Sequence, residues 1–112
     1  MTALAIASPI LPEKLDQWKQ FSLDLANSED YAAFVKKSGL SRLRCWLQQG
    51  PTGPLAIILY EGNTPEGFLK QIATSAEPVA VSFRNSVKEL HGIDLSQPLG
   101  PPPELVTDVQ TD

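Results

Sequence analysis

The alternation of apolar and polar residues is clearest in the middle of the chain. In residues 40–49, Leu43, Cys45 and Leu47 are apolar, and the residues between them are polar or amphipathic. A period of two is typical of a strand with two different faces. Residues 55–61 are apolar at almost every position, and the turn-forming sequence Gly-Pro-Thr-Gly-Pro separates the two segments. The pattern predicts a β-hairpin, whose register the loop leaves open.

Before the hairpin, the apolar spacing predicts one strand and two helices. Residues 2–8 are short and apolar, as in a buried strand, and helical spacing follows from Leu11 to Leu25. Residues 27–30 then supply an N-cap and an acidic first turn for a second helix, and Gly39 is placed to end it.

After the hairpin, Thr64-Pro65-Glu66 is typical of a helix start, and this short helix runs to about residue 74. A further helix begins at about Pro78, keeps one apolar face and ends at Gly92. Prolines then become frequent. We therefore predict one domain over residues 1–97 and a proline-rich tail over 98–112, in which residues 104–110 have the composition of a last edge strand.

The order β-α-β-β-α-β predicts an α+β, ferredoxin-like fold, with an antiparallel sheet and helices on one face. The apolar residues of strand 40–49 suit the helix side, so Trp46 and its even-numbered neighbours face away. A tryptophan beside an apolar strand is poor solvent-exposed surface, and a second copy of the chain is the simplest cover. We therefore expect a homodimer.

Composition narrows the classes of function. The chain has 112 residues and a net charge of −4, which argues against a general nucleic-acid binder. Cys45 and His91 are the only residues of their types, so one chain cannot form a disulfide, a cysteine-based zinc finger or a three-histidine zinc site. No segment approaches the roughly 20 apolar residues of a membrane helix. We expect a cytoplasmic protein without metal, membrane or nucleic-acid partner.

The chain resembles the dimeric α+β barrel superfamily, in which two ferredoxin-like sheets close face to face. The resemblance rests on the element order, the half-polar strand 40–49 and the segment Phe83-Arg-Asn-Ser-Val-Lys-Glu-Leu-His-Gly-Ile-Asp94. It implies a small organic ligand, and cofactor-free monooxygenase or isomerase chemistry if the protein is an enzyme. A haem-binding member would need a proximal histidine, which only His91 could supply; we expect no cofactor.

Candidate ligand-binding residues lie on the even face of strand 40–49: Arg42, Arg44, Trp46 and Gln48. Arginines bind carboxylates or phosphates through charge-assisted hydrogen bonds, and a tryptophan can stack on a ligand. The alternative is an ordinary dimer interface, in which the arginines pair with Glu61 or another acid and Trp46 is an anchor.

Tyr60 and His91 are the candidate catalytic residues. Tyr60 could orient a substrate oxygen, if the register brings it beside Arg44 and Trp46; the alternative is a strand-end tyrosine with a solvated hydroxyl. His91 ends a helix, where a capping role is the alternative to catalysis. Cys45 alternates onto the apolar face and is expected to be inert. The function predicted is a homodimeric small-molecule-binding protein; the alternative is a non-catalytic regulatory or protein-interaction module.

Overall fold

The computed structural model describes residues 2–98, 100–101 and 103–111. Over these residues the chain forms a mixed α+β fold in which three strands make one sheet and four helices pack on it. In chain order the elements are β1 (Thr2–Pro9), a 3-10 turn (Pro12–Lys14), α1 (Leu15–Ala26), α2 (Glu29–Lys37), β2 (Leu40–Gly50), β3 (Gly53–Gly62), α3 (Pro65–Thr74) and α4 (Pro78–His91).

The sheet is antiparallel in the order β1-β3-β2, so the apolar strand β3 lies in the middle. The predicted hairpin is confirmed, and its strands run further than expected because Gly50 pairs with Gly53. Only Pro51 and Thr52 form the turn. Gly53 adopts φ 108°, a conformation that glycine reaches without steric cost.

The register sorts the strand residues onto two faces. One, the helix face, carries three cross-strand rows that all pack beneath the helices: Leu4, Tyr60 and Leu43; Ile6, Ile58 and Cys45; Ser8, Ala56 and Leu47. The other, the open face, carries Ala3, Ala5 and Ala7 of β1, Leu55, Ile57 and Leu59 of β3, and Arg42, Arg44, Trp46 and Gln48 of β2. The predicted division of β2 into an apolar helix side and a polar far side is therefore present.

Helix boundaries follow the local signals in the sequence. The Ser28 hydroxyl accepts a hydrogen bond from the Tyr31 backbone N–H at 3.1 Å, which caps α2. Gly92 ends α4 in the left-handed conformation at φ 73°. The larger apolar cluster includes Phe34 of α2 and Phe68 of α3, both almost fully buried, and their rings pack edge to face.

The start of β2 and the end of β3 approach each other closely near Gly62. The ladder shifts by one residue between Leu40 and Arg42, and a side chain at Gly62 would collide with the backbone of Gly39 and Leu40. Glycine at position 62 therefore allows the end of β3 to approach the start of β2.

The strand predicted over residues 104–110 is not formed, which corrects the full β-α-β-β-α-β expectation. Those residues form no helix or strand, and Leu105, Val106 and Val109 remain more than three-quarters exposed. Pro101 and Pro103 precede the segment and cannot donate to a strand ladder. Leu95 is the last apolar residue packed against the core among the described residues.

Candidate functional site

A large cavity lies between the helix layer and the helix face of the sheet. Its volume is about 970 Å³, and its walls are mostly apolar. Small-molecule sites in proteins commonly span roughly 300–1,000 Å³ and are lined in this way. The sheet contributes all three cross-strand rows to its floor, through residues such as Tyr60, Cys45 and Ser8, and every helix contributes to its walls.

Aromatic side chains build one wall of the cavity. Phe83 of α4 stacks on Tyr31 of α2, with ring centroids 5.6 Å apart, and lies 5.8 Å from Phe21 of α1. Trp18 of α1 also lines the cavity and is almost fully buried. Offset ring contacts of this kind hold the helices at fixed separations.

Two buried tyrosines, Tyr31 and Tyr60, line this cavity. Tyr31 and Tyr60 are only 6% and 7% exposed, and neither hydroxyl has a hydrogen-bond partner among the described residues. Arg44 Nε is the only fully enclosed side-chain polar atom without a partner in that part of the chain. The two phenol oxygens therefore keep contact with the cavity space.

The environment of these hydroxyls keeps them protonated. Burial raises the pKa of Tyr31 well above its usual range, and the nearness of Tyr60 and Cys45 raises it further. Burial likewise raises the pKa of Tyr60, with a further contribution from Cys45. At neutral pH both phenols are hydrogen-bond donors. Sequence reasoning missed Tyr31, because its only signal was a place in the apolar stripe of α2.

Cys45 lies on the cavity floor in the row next to Tyr60. Cys45 is also exposed, because β2 is an edge strand of the sheet. Partial burial raises the pKa of the Cys45 thiol above its usual value. A protonated thiol is a weak nucleophile.

His91 lies near the opposite end of the cavity. Its Nδ1 is 2.7 Å from the Pro9 carbonyl and 3.1 Å from the Ser8 hydroxyl. Because a carbonyl can only accept, Nδ1 carries the proton and Nε2 is the acceptor of the neutral ring. Burial lowers the pKa of His91, which favours this neutral form.

The two predicted catalytic residues are thus separated. Ser8, which contacts His91, pairs with Ala56, and Tyr60 lies four residues further along β3. At the usual rise of a strand, this places Tyr60 about 13 Å from the row of Ser8. Tyr60 and His91 border the same cavity.

The four predicted ligand-binding residues of β2 belong to the open face, and Tyr60 does not join them, because it pairs with Leu43 on the helix face. Arg44 donates to the Glu61 carboxylate at 2.7 Å and lies over the Trp46 ring at 5.3 Å. The charge of Arg44 is therefore already compensated within the chain. Gln48 is exposed near the hairpin turn.

Arg42 follows the bulge in β2 and is the one predicted binding residue that also borders the cavity. It is exposed, as is Lys36 of α2, which borders the cavity too. Exposed residues on a cavity wall mark its opening, so the mouth carries two positive charges.

Comparisons with protein-family models, with curated proteins and with solved structures find no match to this chain. Across the described residues, no helix has the length and apolar character needed to cross a membrane. The same part of the chain holds no group of three or more His, Cys, Asp or Glu residues arranged to bind a metal.

Proposed function

We propose that this protein binds a small, largely apolar organic molecule in the cavity between its helices and the helix face of its sheet. The observation that carries the proposal is the cavity itself: about 970 Å³ with mostly apolar walls and a few polar groups directed inward. Apolar ligands gain roughly 25 cal/mol for each Å² of surface removed from water. Such a cavity therefore favours a ligand with an apolar body.

The open face is a weaker candidate for this role. Its most distinctive pair, Arg44 and Trp46, is engaged within the chain, because Glu61 neutralises the guanidinium. A flat sheet surface also offers a small molecule contact on one side only, whereas a cavity surrounds it.

The two tryptophans of the chain make the location testable. Trp18 lines the cavity, and Trp46 lies on the open face. 1-Bromonaphthalene is an uncharged apolar probe whose bromine atom quenches tryptophan emission only at contact distance. In Trp46→Phe, where Trp18 is the only emitter, we expect the probe to quench emission strongly and saturably.

The matched variant is Trp18→Phe, in which Trp46 alone reports. We expect weaker quenching at the same probe occupancy, since the sheet lies between Trp46 and the cavity. Quenching that is strong only in Trp18→Phe would place the probe on the open face. The absence of binding to either variant and to the unsubstituted protein would remove the cavity proposal.

We further propose that two copies of the chain pair through their open faces, which gives the homodimer of a dimeric α+β barrel. The face has a small edge, formed by the alanines of β1, and a bulky edge around Trp46. A two-fold axis parallel to the strands would place the bulky edge of one copy over the small edge of the other. Such self-complementarity is what an isologous interface requires.

A further inference from the structure

We propose that the ligand of the cavity carries a neutral carbonyl oxygen, which accepts hydrogen bonds from the Tyr31 and Tyr60 hydroxyls. This inference rests on the proposed function, since it assigns the chemical class of the molecule that the cavity takes. Its basis is that two buried tyrosines line one mostly apolar cavity and that neither hydroxyl has a hydrogen-bond partner among the described residues.

Both phenols are fixed in place by their rings. Tyr31 stacks on Phe83 at an interplanar angle of 18°, and Tyr60 packs against Phe68 with centroids 5.6 Å apart. The backbone N–H of Tyr31 is held by the cap of α2, and Tyr60 lies in the central strand. The hydroxyls are therefore presented by rigid elements and need little rearrangement to meet a ligand.

A ligand that filled the cavity without accepting from these hydroxyls would shut both donors off from water, which typically costs more than one hydrogen bond gains. A ligand oxygen that satisfies both hydroxyls would remove that cost. A carbonyl oxygen is suited to the task, because its two lone pairs accept two donors in one plane. An alcohol oxygen can accept the same two bonds, but its own hydrogen would then need a further acceptor.

The surroundings favour a neutral group over an anion. The rings of Tyr31 and Tyr60 pack against Phe83 and Phe68, and Cys45 lies in the strand row next to Tyr60. The cations that border the cavity, Lys36 and Arg42, are exposed at its mouth. An anion among the rings would lose its hydration without gaining a buried counter-charge.

Prodan, 6-propionyl-2-dimethylaminonaphthalene, is the test ligand, because its emission moves to longer wavelength when its ketone accepts hydrogen bonds. N-phenyl-1-naphthylamine, of similar size and without a carbonyl, is the matched comparison. We expect Tyr31→Phe and Tyr60→Phe each to weaken Prodan binding by about threefold to tenfold, as the loss of one net hydrogen bond predicts. The emission of bound Prodan should shift to shorter wavelength in both variants.

Binding of N-phenyl-1-naphthylamine should not weaken in these two variants, because this probe has no carbonyl to lose a hydrogen bond, and its binding also shows that the cavity is intact. Unchanged affinity and emission of Prodan, with the apolar probe still bound, would overturn the carbonyl inference and leave the cavity function standing. Failure of both probes to bind the unsubstituted protein would instead overturn the proposed function.

A third ligand tests whether the cavity prefers a neutral group to an anion. In 6-dimethylamino-2-naphthoate a carboxylate replaces the ketone of Prodan, and we expect it to bind at least about tenfold more weakly, because a buried anion lacks a partner. Equal or tighter binding of the carboxylate would overturn the assignment of a neutral ligand.

Discussion

At the scale of single residues, neighbours in strand β2 serve different surfaces. Cys45 points to the cavity and Trp46 to the open face, since successive side chains of a strand alternate. The sequence predicted this division from period two alone. It could not predict that Tyr60 lies beside the cavity, because that depended on the hairpin register. The meeting of Tyr31 with Tyr60 joins distant parts of the chain and needs the tertiary packing.

Occupancy of the cavity is expected to protect Cys45 from alkylation. The thiol lies on the cavity floor, so a bound molecule would block the approach of iodoacetamide. With N-phenyl-1-naphthylamine at ten times its dissociation constant, the rate should fall toward the limit of about tenfold that complete protection would set, and access from the exposed β2 edge makes the fall smaller than this limit. Mass spectrometry of the alkylated chain measures this rate at mildly alkaline pH. The same rate with and without bound probe would place the probe away from Cys45.

His91 is expected to make folding stability depend on pH. Burial lowers the pKa of His91 in the folded state, so the unfolded chain takes up this proton first as the pH falls. The contribution of His91 is present above its ordinary pKa of about 6.5 and is lost progressively as the pH falls below that value. Urea unfolding at pH 7.5 and 5.5 measures the change.

The control for His91 is His91→Gln, which cannot titrate in this range. We expect His91→Gln to lose less stability than the unsubstituted protein between the two pH values. At pH 7.5 it should be destabilised by about 1–2 kcal/mol, through weakened bonding to Pro9 and Ser8. If the stability of the two proteins depended identically on pH, the pH dependence could not be assigned to His91.

At the scale of elements, local signals determined the helices and the hairpin. Ser28 caps α2, Pro65 begins α3 and Gly92 ends α4, each through chemistry within a few residues of the boundary. The tail shows the limit of such reasoning. Residues 104–110 have the composition of a strand, yet they gain no pairing or burial in the described structure. Composition alone cannot supply the edge with which a strand must pair.

Gly62 is expected to be the least tolerant glycine of the sheet. A methyl group there would collide with the backbone of Gly39 and Leu40, whereas one at Gly50 would meet nothing within 4 Å. Gly62→Ala should lower the free energy of unfolding by about 2 kcal/mol or more, as overpacking does when backbone must move. Gly50→Ala is the matched control and should change it by less than about 0.5 kcal/mol. If the two substitutions lowered the free energy of unfolding in urea equally, the backbone of Gly39 and Leu40 would not lie this close to Gly62.

At the scale of the whole molecule, one sheet separates two surfaces of different shape and composition. Its helix face floors a cavity of about 970 Å³, and its open face presents apolar residues of β3 between the alanines of β1 and Trp46. The α+β class was predictable from the order of elements. The cavity was not, because it arises from how far the helices lie from the sheet.

Pairing of open faces predicts an oligomer with twice the 12.2 kDa mass of the chain. Trp46→Ala should weaken this dimer by at least about tenfold, since buried interface tryptophans commonly contribute about 2 kcal/mol or more. The control is Leu23→Ala, which removes an apolar side chain that is 59% exposed on α1 and should leave the dimer mass unchanged. Sedimentation equilibrium measures the dissociation constant of both variants. A monomer at every concentration of the unsubstituted protein would exclude the dimer.

The most direct test of the cavity function is an NMR titration that follows the two indole N–H signals of the unsubstituted, nitrogen-15-labelled protein. Trp46→Phe assigns them, since it removes one signal. As N-phenyl-1-naphthylamine is added, the account predicts a saturable shift of the Trp18 signal, because Trp18 lines the cavity, and little change at Trp46. A shift confined to Trp46, or no shift at either signal, would contradict binding between the helices and the sheet.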